Sequence, residues 1–232
     1  FFFFFFFFPL TFFFLLSFIA DYIPISMNQD LVQNGDFEVT NDFVNALSSK
    51  LSLAAGSTAL TKWTISKGGV TLVPLTLGPN LGKISVQLNN GNIGKISQQI
   101  TVVSGTLYSL SFWLAGDPEI QDIQYIRVTT DRSVRDFSID PTGSTASNFS
   151  WTLKTIEFIP SVSSVIISFE SLETGVNGPF IDGITLRVKS IFSFFFFHLF
   201  SSFFFFFIFF LSPFPFCFFF FFFFSFFFSS FF

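Results

Sequence analysis

The sequence predicts an all-β protein, a single antiparallel β-sandwich of the jelly-roll type flanked by two phenylalanine-rich tails. All of the 11 basic and 15 acidic side chains lie between Asp21 and Lys189, whereas 39 of the 47 phenylalanines lie outside that range. Within the range, short stretches rich in Val, Ile, Thr, Phe and Tyr alternate apolar with polar residues. Clusters of Gly, Asn, Asp and Pro separate them, and no long amphipathic helix pattern interrupts the series.

These alternating stretches indicate about nine strands. In 84–89, and again in 108–115, the alternation is strict, so each of these strands is expected to have one apolar face and one polar face. The Gly- and Asn-containing stretches 89–92 and 103–106 are typical of hairpin turns. Nine antiparallel strands with such turns fit two packed sheets whose closure covers the sheet edges. We place the strands near residues 70–76, 84–89, 95–103, 107–115, 123–130, 134–139, 152–160, 164–172 and 181–188.

The composition also divides the chain into three segments. Residues 28–189 have the size of one globular domain that can bury a core. In the preceding segment, 1–27, the apolar run 12–20 resembles the core of a secretory signal, with cleavage expected before Met27. The basic start that such signals carry is missing. We interpret this segment as a degraded signal peptide; the alternative is translated polypyrimidine sequence, which residues 1–10 also fit.

The C-terminal segment, residues 190–232, consists of Phe, Ser, Leu and Pro apart from four residues. Phe, Ser, Leu and Pro are the amino acids encoded by pyrimidine-only codons. This composition favours translated noncoding DNA as the origin of the segment. The alternative is a transmembrane helix, because 203–224 is an uncharged apolar run of sufficient length. Natural membrane helices mix aliphatic residues and are flanked by Lys or Arg, unlike this run.

The charge distribution of the central domain and its lack of cysteine exclude several classes of function. Its basic residues are scattered and outnumbered by acidic ones, which argues against nucleic-acid binding. The one cysteine, Cys217, lies in the tail, so the domain has neither a disulfide framework nor a thiolate metal site. Asn148, followed by Phe149 and Ser150, is a candidate for N-glycosylation if the chain is exported.

Seven stretches, spread over the whole domain, carry a resemblance to a known family. They are 31–38 (LVQNGDFE), 55–65 (AGSTALTKWTI), 69–73 (GVTLV), 96–100 (ISQQI), 108–116 (YSLSFWLAG), 151–154 (WTLK) and 178–186 (GPFIDGITL). In this order they resemble the choice-of-anchor C family, which is related to the plant cell-wall proteins of domain of unknown function 642.

The resemblance implies a galactose-binding-like sandwich that is exported and held at a cell surface or in a matrix through a variable C-terminal anchor. For the plant relatives it implies association with cell-wall polysaccharide. The chain departs from the family at the anchor, because the phenylalanine-rich tail matches no recognisable sorting signal.

Catalytic chemistry is poorly supported by the residues of the domain. The sole histidine, His198, lies in the tail, so the domain has no Ser/His/Asp triad and no histidine metal site. Two pairs of carboxylates, Asp117 with Glu119 and Asp131 with Asp136, leave glycoside hydrolysis open. We interpret each pair as part of a solvated loop face and predict that the protein is not an enzyme.

Trp113 is the candidate for a ligand platform. Strict alternation places it on the face of Ser109 and Ser111, opposite the apolar face of its strand. A large ring among small polar neighbours can stack on the C–H face of a sugar. Amide hydrogen bonds would come from Gln87, Asn89 and Gln99. The alternative is that a loop covers the ring.

The two other tryptophans receive no binding role. Trp63 follows a turn-rich stretch and precedes a strand, and in the related folds this residue plugs the sandwich, so we expect it in the core. Trp151 begins a strand, where it is either an edge plug or a contact at the rim.

Two carboxylates form a hypothetical calcium site. Glu38 and Asp182 lie near opposite ends of the domain, and alternation with Phe180, Ile184 and Leu186 points Asp182 toward the core side. Related carbohydrate-binding jelly rolls hold a structural calcium where the first and last strands meet, bound by carboxylate and carbonyl oxygens. The alternative is that both carboxylates accept hydrogen bonds from backbone N–H groups.

We therefore expect an extracellular or cell-surface, non-catalytic domain that binds a glycan such as a cell-wall or matrix polysaccharide. One alternative is a surface or matrix protein whose sandwich makes protein contacts. A second is a membrane-anchored surface protein, if the C-terminal tail is genuine. An enzyme ranks third among the alternatives.

Overall fold

The computed structural model describes residues 29–40, 49–74, 82–145 and 147–189. Within these ranges the chain forms strands and no helix. The strands are β1 (Leu51–Ala54), β2 (Thr64–Lys67), β3 (Gly69–Pro74), β4 (Ile84–Gln87), β5 (Lys95–Thr101), β6 (Tyr108–Ala115), β7 (Gln124–Thr130), β8 (Ser133–Ile139), β9 (Thr152–Phe158), β10 (Ser164–Ser171) and β11 (Phe180–Val188).

The all-β prediction is confirmed, and each of the nine expected strands is present within a few residues of its predicted place. The two predicted turns are present, with Gly91 and Gly105 at φ values of 78° and 79°. Each connects strands of different sheets, β4 with β5 and β5 with β6, so the prediction that they join paired strands of a hairpin is wrong. The sequence reading missed β1 and β2. Each has four residues and buries only one hydrophobic side chain, Leu53 and Ile65 respectively, so neither shows a repeated alternation.

The strands form two antiparallel sheets. The six-stranded sheet has the order β1-β3-β4-β11-β6-β9, and the five-stranded sheet has the order β2-β5-β10-β7-β8. β9 ends the six-stranded order and β8 ends the five-stranded order. Each pairs with a single described neighbour and is an edge strand. All nine pairings between described strands are antiparallel, although only β3 with β4 and β7 with β8 are sequential in the chain.

The main core lies between the two sheets. Phe112 of β6 is fully buried, and its ring contacts those of Phe169 in β10 and Phe137 in β8 at centroid distances of 5.1 and 5.4 Å. Trp63 is also buried, as predicted, and its indole Nε1 donates a 2.8 Å hydrogen bond to the backbone oxygen of Asn34. These aromatic side chains join the two layers of the sandwich.

A β-bulge in β11 changes which residues face the core. The register of β11 on β6 shifts between Asp182 and Thr185, and Gly183 adopts a φ of 54°. Before the bulge Ile181 belongs to the main core, and after it Ile184 does. Asp182 therefore lies on the opposite face from Ile181, and the prediction that it points toward the core side is wrong, because the bulge breaks the simple alternation.

The polar face of β4 is also buried. Ser85, Gln87 and Asn89 are 0 to 3% exposed, although alternation predicted a strand with one solvent-facing side. A second, smaller hydrophobic cluster lies on this outer side of the six-stranded sheet. It is formed by Val73, Ala115, Phe149 and Phe180, with Trp151 packed against it.

Several predicted features lie outside the described residues, namely the signal segment 12–20 and the apolar run 203–224. No helix within the described ranges is long and apolar enough to cross a membrane. The chain divides after Lys189 into two compact units, of which only the first contains described residues. The predicted segment boundaries accordingly stay predictions.

Replacing Phe112 by alanine should destabilise the domain by about 3 to 5 kcal/mol, because it removes a fully buried ring that contacts both sheets. The free energy of unfolding is measured in urea. The matched control is Ile166→Ala in β10, whose side chain is 57% exposed. This control should change stability by less than about 0.5 kcal/mol. Equal losses in the two variants would contradict the assignment of Phe112 to the centre of the core.

Candidate functional site

Trp113 lies on the outer face of the six-stranded sheet and is half-buried. Directly across from it are Asp182 of β11 on one side and Leu153 of β9 on the other. Residues paired in this way have side chains on the same face of the sheet. Leu153 is half exposed, and Asp182 is fully buried. The indole is thus neither fully covered nor fully exposed.

Two further rows of side chains continue this surface along the same three strands. Ser111 lies between Thr185 and Thr155, and its hydroxyl lies 3.1 Å from that of Thr155. In the next row Ser109 lies between Arg187 and Glu157. We call the surface formed by these three rows the Trp113 face. It combines an aromatic ring, a row of hydroxyls and a row with two charges.

The charged row is held by ion pairs at its two ends. Arg187 lies 3.9 Å from the carboxylate of Asp30, and Lys189 forms an ion pair with Glu157. Both pairs are largely exposed, so they contribute little to stability. Their carboxylates and cations remain accessible to a bound molecule.

The structure does not bring the three predicted amide partners to Trp113. Gln87 lies on the same outer face, but it is buried, and its Nε2 donates a 2.6 Å hydrogen bond to Asp117. Asn89 is buried beyond the end of β4, where its Nδ2 donates to the backbone oxygens of Glu173 and Gly175. Both amides therefore support loops of the protein.

Gln99, the third predicted partner, belongs to the other sheet. It lies on the outer face of β5, exposed to solvent, and its Nε2 donates a 2.8 Å hydrogen bond to the hydroxyl of Ser164. A molecule bound on the Trp113 face cannot reach it, because the two outer faces lie on opposite sides of the sandwich. Of the four predicted ligand residues, only Trp113 lies partly exposed on this face.

Sequence reasoning missed a buried network around Asp117. Its Oδ1 accepts a hydrogen bond from the backbone N–H of Glu119, and its backbone N–H and C=O are both bound by the side chain of Gln124. Burial raises the pKa of the Asp117 carboxyl, while the bonds from Glu119 and Gln87 act in the opposite direction. The interpretation of Asp117 as a solvated loop residue is wrong, because its side chain is buried and bound by Gln87, which lies 30 residues away in the sequence.

The other suspected carboxylates are exposed and have protein partners. Asp136 accepts two hydrogen bonds from the guanidinium of Arg127, at 2.8 and 2.9 Å. Asp131 accepts from the backbone N–H and hydroxyl of Ser161. Glu119 accepts from the Asn177 amide. Glu119 and Asp131 lie in loops, as predicted, whereas Asp136 lies on the solvent side of β8, so its placement in a loop is wrong.

The outer face of the five-stranded sheet is occupied by paired charges. Glu170 bridges Lys67 at 2.6 Å and Lys95 at 3.3 Å, and it lies directly across from Arg127. Arg127 in turn binds Asp136. These charged residues form one row across all five strands, and the sign of the charge alternates over most of the row. Most of the charges have a partner within the protein.

Glu38 and Asp182 each accept hydrogen bonds from backbone N–H groups. Glu38 Oε1 accepts hydrogen bonds from the backbone N–H groups of Lys83 and Ile84, the latter at 2.8 Å. Asp182 Oδ1 accepts one from the N–H of Gly183 at 2.7 Å. No group of three or more metal-binding side chains occurs among the described residues. The contacts match the backbone-capping alternative, and the calcium hypothesis stays a prediction.

The candidate glycosylation residue, Asn148, is exposed in a tight turn. Its backbone exchanges two hydrogen bonds with that of Thr145, at 2.9 and 3.0 Å. Phe149 is buried and stacks on Phe180 at a centroid distance of 4.5 Å, whereas Ser150 is exposed. The turn thus presents both residues that a glycosylating enzyme reads. Trp151, whose role was left open, is half-buried with its ring edge toward Phe149.

The sequence matches the family described as "Protein of unknown function (DUF642)" over residues 30–187, and the chain belongs to this family. This confirms the resemblance to the domain-of-unknown-function 642 proteins, whereas the choice-of-anchor C name stays a prediction. Halomucin of Haloquadratum walsbyi is 29% identical over 180 residues. That alignment covers 76% of this chain but only 2% of halomucin.

Among solved structures, the fold is similar to those of carbohydrate-binding modules. One is TmCBM61 in complex with beta-1,4-galactotriose, with a TM-score of 0.44, 16% identity and coverage of 70% of this chain and 100% of the module. Another is a family 35 carbohydrate binding module from Clostridium thermocellum, with a TM-score of 0.42, 15% identity and coverage of 61% and 100%.

The raised pKa of Asp117 predicts a specific pH dependence. Because the folded state binds the Asp117 proton more tightly than the unfolded state, the wild type should gain stability relative to Asp117→Asn as pH falls through the raised pKa. The gain is complete below the ordinary aspartate pKa of about 4. Urea unfolding of both proteins at a series of pH values measures the difference.

Asp140→Asn is the matched control. Hydrogen bonds from Thr142 lower the pKa of the exposed Asp140 carboxyl, so here the wild type should lose stability relative to the variant as pH falls. Differences of the same sign for both variants would contradict the burial of Asp117.

Proposed function

We propose that this domain is an extracellular, non-catalytic module that binds a cell-wall or matrix polysaccharide on the Trp113 face. The observation that supports this most directly is the half-buried indole of Trp113, placed beside a row of hydroxyls on a sheet surface. The apolar ring supplies a stacking surface for the C–H face of a sugar ring. The hydroxyls of Ser111, Thr155 and Thr185 supply donors and acceptors for sugar hydroxyls.

The spacing of the Trp113 face suits an extended ligand. Neighbouring strands lie about 4.8 Å apart and alternate residues of one strand about 6.8 Å apart. The three rows therefore present ring, hydroxyls and charges in succession over roughly 14 Å along β6. A chain molecule lying along this strand would contact each row in turn, which a single small ligand would not.

A binding role without catalysis agrees with how the carboxylates are used. Asp117 is buried and accepts a hydrogen bond from the backbone of Glu119. Asp131 is bound by Ser161, and Asp136 by Arg127. A glycosidase needs two carboxyl groups facing one bond of the substrate. These three side chains instead hold loops and neighbouring strands in place.

A second candidate, contact with another protein, is favoured by one surface at the end of the sandwich. Val103, Ile159 and Val162 are 44 to 61% exposed, and they lie on two adjacent loops. Gly105 N donates to Pro160 O at 2.9 Å, which joins these loops. An exposed aliphatic patch on rigid loops is a typical protein-contact surface. The membrane-anchored alternative concerns residues outside the described ranges.

Trp113→Ala should weaken retention on polysaccharide about tenfold or more, because a central aromatic contributes disproportionately to binding. Retention is measured on insoluble cellulose, xylan and β-galactan. Tyr125→Ala is the matched control, since this 45% exposed aromatic lies on the outer face of the five-stranded sheet. The control should bind as the wild type does.

Two results would count against this function. If Trp113→Ala and the wild type are retained equally, the binding surface lies elsewhere. If the folded wild type is retained on none of the polysaccharides, the protein-contact candidate takes precedence. Unfolding in urea shows that each variant is folded.

Export through a eukaryotic secretory pathway should attach a glycan to Asn148, because this residue is exposed in a turn and Ser150 supplies the required hydroxyl. Digestion with a peptide N-glycosidase should then increase electrophoretic mobility. Asn148→Gln and Ser150→Ala should both abolish the shift, while Asn92→Gln, an exposed asparagine outside any such triplet, should retain it. An unmodified wild type would contradict the prediction.

A further inference from the structure

We propose that a second site, on the side of the sandwich between β8 and β9, binds carboxylate-bearing polysaccharide through Arg135 and Lys154. We call this site the edge slot and define it by Arg135, Lys154 and Phe137. It goes beyond the Trp113 face, because it lies on the inner side of the two edge strands. The two sites can therefore be tested independently.

The two cations project from the core-facing side of their strands. Lys154 lies directly across from the buried Phe112, and Arg135 lies directly across from the buried Val128. Paired residues share a face, so both side chains start on the inner side of their sheets. At an edge strand such a side chain is able to reach the opening between the sheets.

The opening places the two cations within reach of one ligand. Val128 pairs with Phe169, whose ring contacts that of Phe112, so the rows that end at Arg135 and Lys154 face each other across the core. Packed sheets lie about 10 Å apart. Phe137, partly buried against Phe112, forms an apolar floor between the two charges.

The cations of the edge slot have no charged partner in the described part of the chain. Five basic residues, Lys67, Lys95, Arg127, Arg187 and Lys189, each lie within 4 Å of a carboxylate. Of the cations outside these pairs, Arg135 and Lys154 are the two that start on the inner side of the edge strands. Neither Arg135 nor Lys154 takes part in such a pair. Among the described residues, the two positive charges of the slot thus lack a carboxylate partner, on a protein of net charge −4.

The chemistry of the slot matches a uronate unit. A guanidinium binds a planar carboxylate through two parallel hydrogen bonds, and the lysine ammonium adds a second charged donor. The ring of Phe137 provides an apolar surface for the C–H groups of the sugar. Neutral polysaccharide would leave both charges without a partner, so the slot selects for acidic chains.

A different role for these residues is known in principle, because inward-pointing charges on edge strands discourage edge-to-edge aggregation. This role makes a separate prediction. Removing the charges would then increase self-association and leave polysaccharide binding unchanged.

Binding to soluble polygalacturonate, measured by affinity electrophoresis with the full chain, tests the proposal. Arg135→Gln and Lys154→Gln should each weaken binding about tenfold, the usual loss for a charged hydrogen bond, and the double variant should lose more. Binding by the wild type should also weaken as salt is raised. Arg135→Lys should retain part of the affinity.

The control is Lys62→Gln with Lys83→Gln, which removes two exposed cations that form no ion pair among the described residues. This control should bind polygalacturonate as the wild type does. An equal loss in control and slot variants would reduce the effect to net charge and overturn the site. Trp113→Ala should leave binding at the slot in place, so a failure of the Trp113 face is distinguishable from a failure of the slot.

Two further outcomes decide the nature of the site. Dextran sulfate should bind more weakly than polygalacturonate, and equal binding would overturn the assignment to carboxylates in favour of polyanions in general. If the double variant keeps full affinity but forms larger species in size-exclusion chromatography, Arg135 and Lys154 protect the edges and the proposal is wrong.

Discussion

The contact between Phe112 and Phe169 is the interaction on which the other features of this sandwich depend. It joins β6, the strand beside edge strand β9, to β10, the central strand of the five-stranded sheet, and fixes which face of β6 is buried. Once Phe112 points inward, Trp113 must point outward, because neighbouring residues of a strand alternate. Phe112 also connects the two edge strands, because it pairs with Lys154 of β9 and its ring contacts that of Phe137 in β8.

The bulge in β11 gives the outer surface of the six-stranded sheet its character. Without it, Asp182 would face the core with Ile184, where a carboxylate would be costly to bury. With the bulge, Phe180 and Asp182 lie on the outer side, and Ile184 and Leu186 return to the core. One side of the Trp113 face is therefore lined by a buried carboxylate and backed by the second hydrophobic cluster, while the side at β9 is open.

Charge is distributed unequally over the sandwich. On the outer face of the five-stranded sheet, the charged side chains pair with one another, Glu170 with Lys67 and Lys95 and Asp136 with Arg127. Desolvation raises the pKa of Glu170, but the bonds from Lys67 and Lys95 outweigh it, and the net shift is downward. By contrast, Arg135 and Lys154, at the edge between β8 and β9, take part in no ion pair within the described ranges. This contrast distinguishes a surface satisfied by its own side chains from one suited to an external anion.

The sequence by itself determined the fold class, nine of the strands, the family and the outward position of Trp113. All of these follow from the alternation of apolar and polar residues along each strand or from the order of short motifs. Both can be read directly from the chain. The short strands β1 and β2 were missed, because an alternation over only four residues is too short to recognise.

Only the tertiary structure decided which polar residues surround Trp113. Gln87 and Asn89 are drawn into loop contacts, Gln99 lies in the other sheet, and Asp182 is turned outward by the bulge. The edge slot is also invisible in the sequence, since Arg135 and Lys154 meet only where two different sheets end. The physical reason is that sheet order, register shifts and buried hydrogen bonds depend on contacts between residues far apart in the chain, which local alternation does not encode.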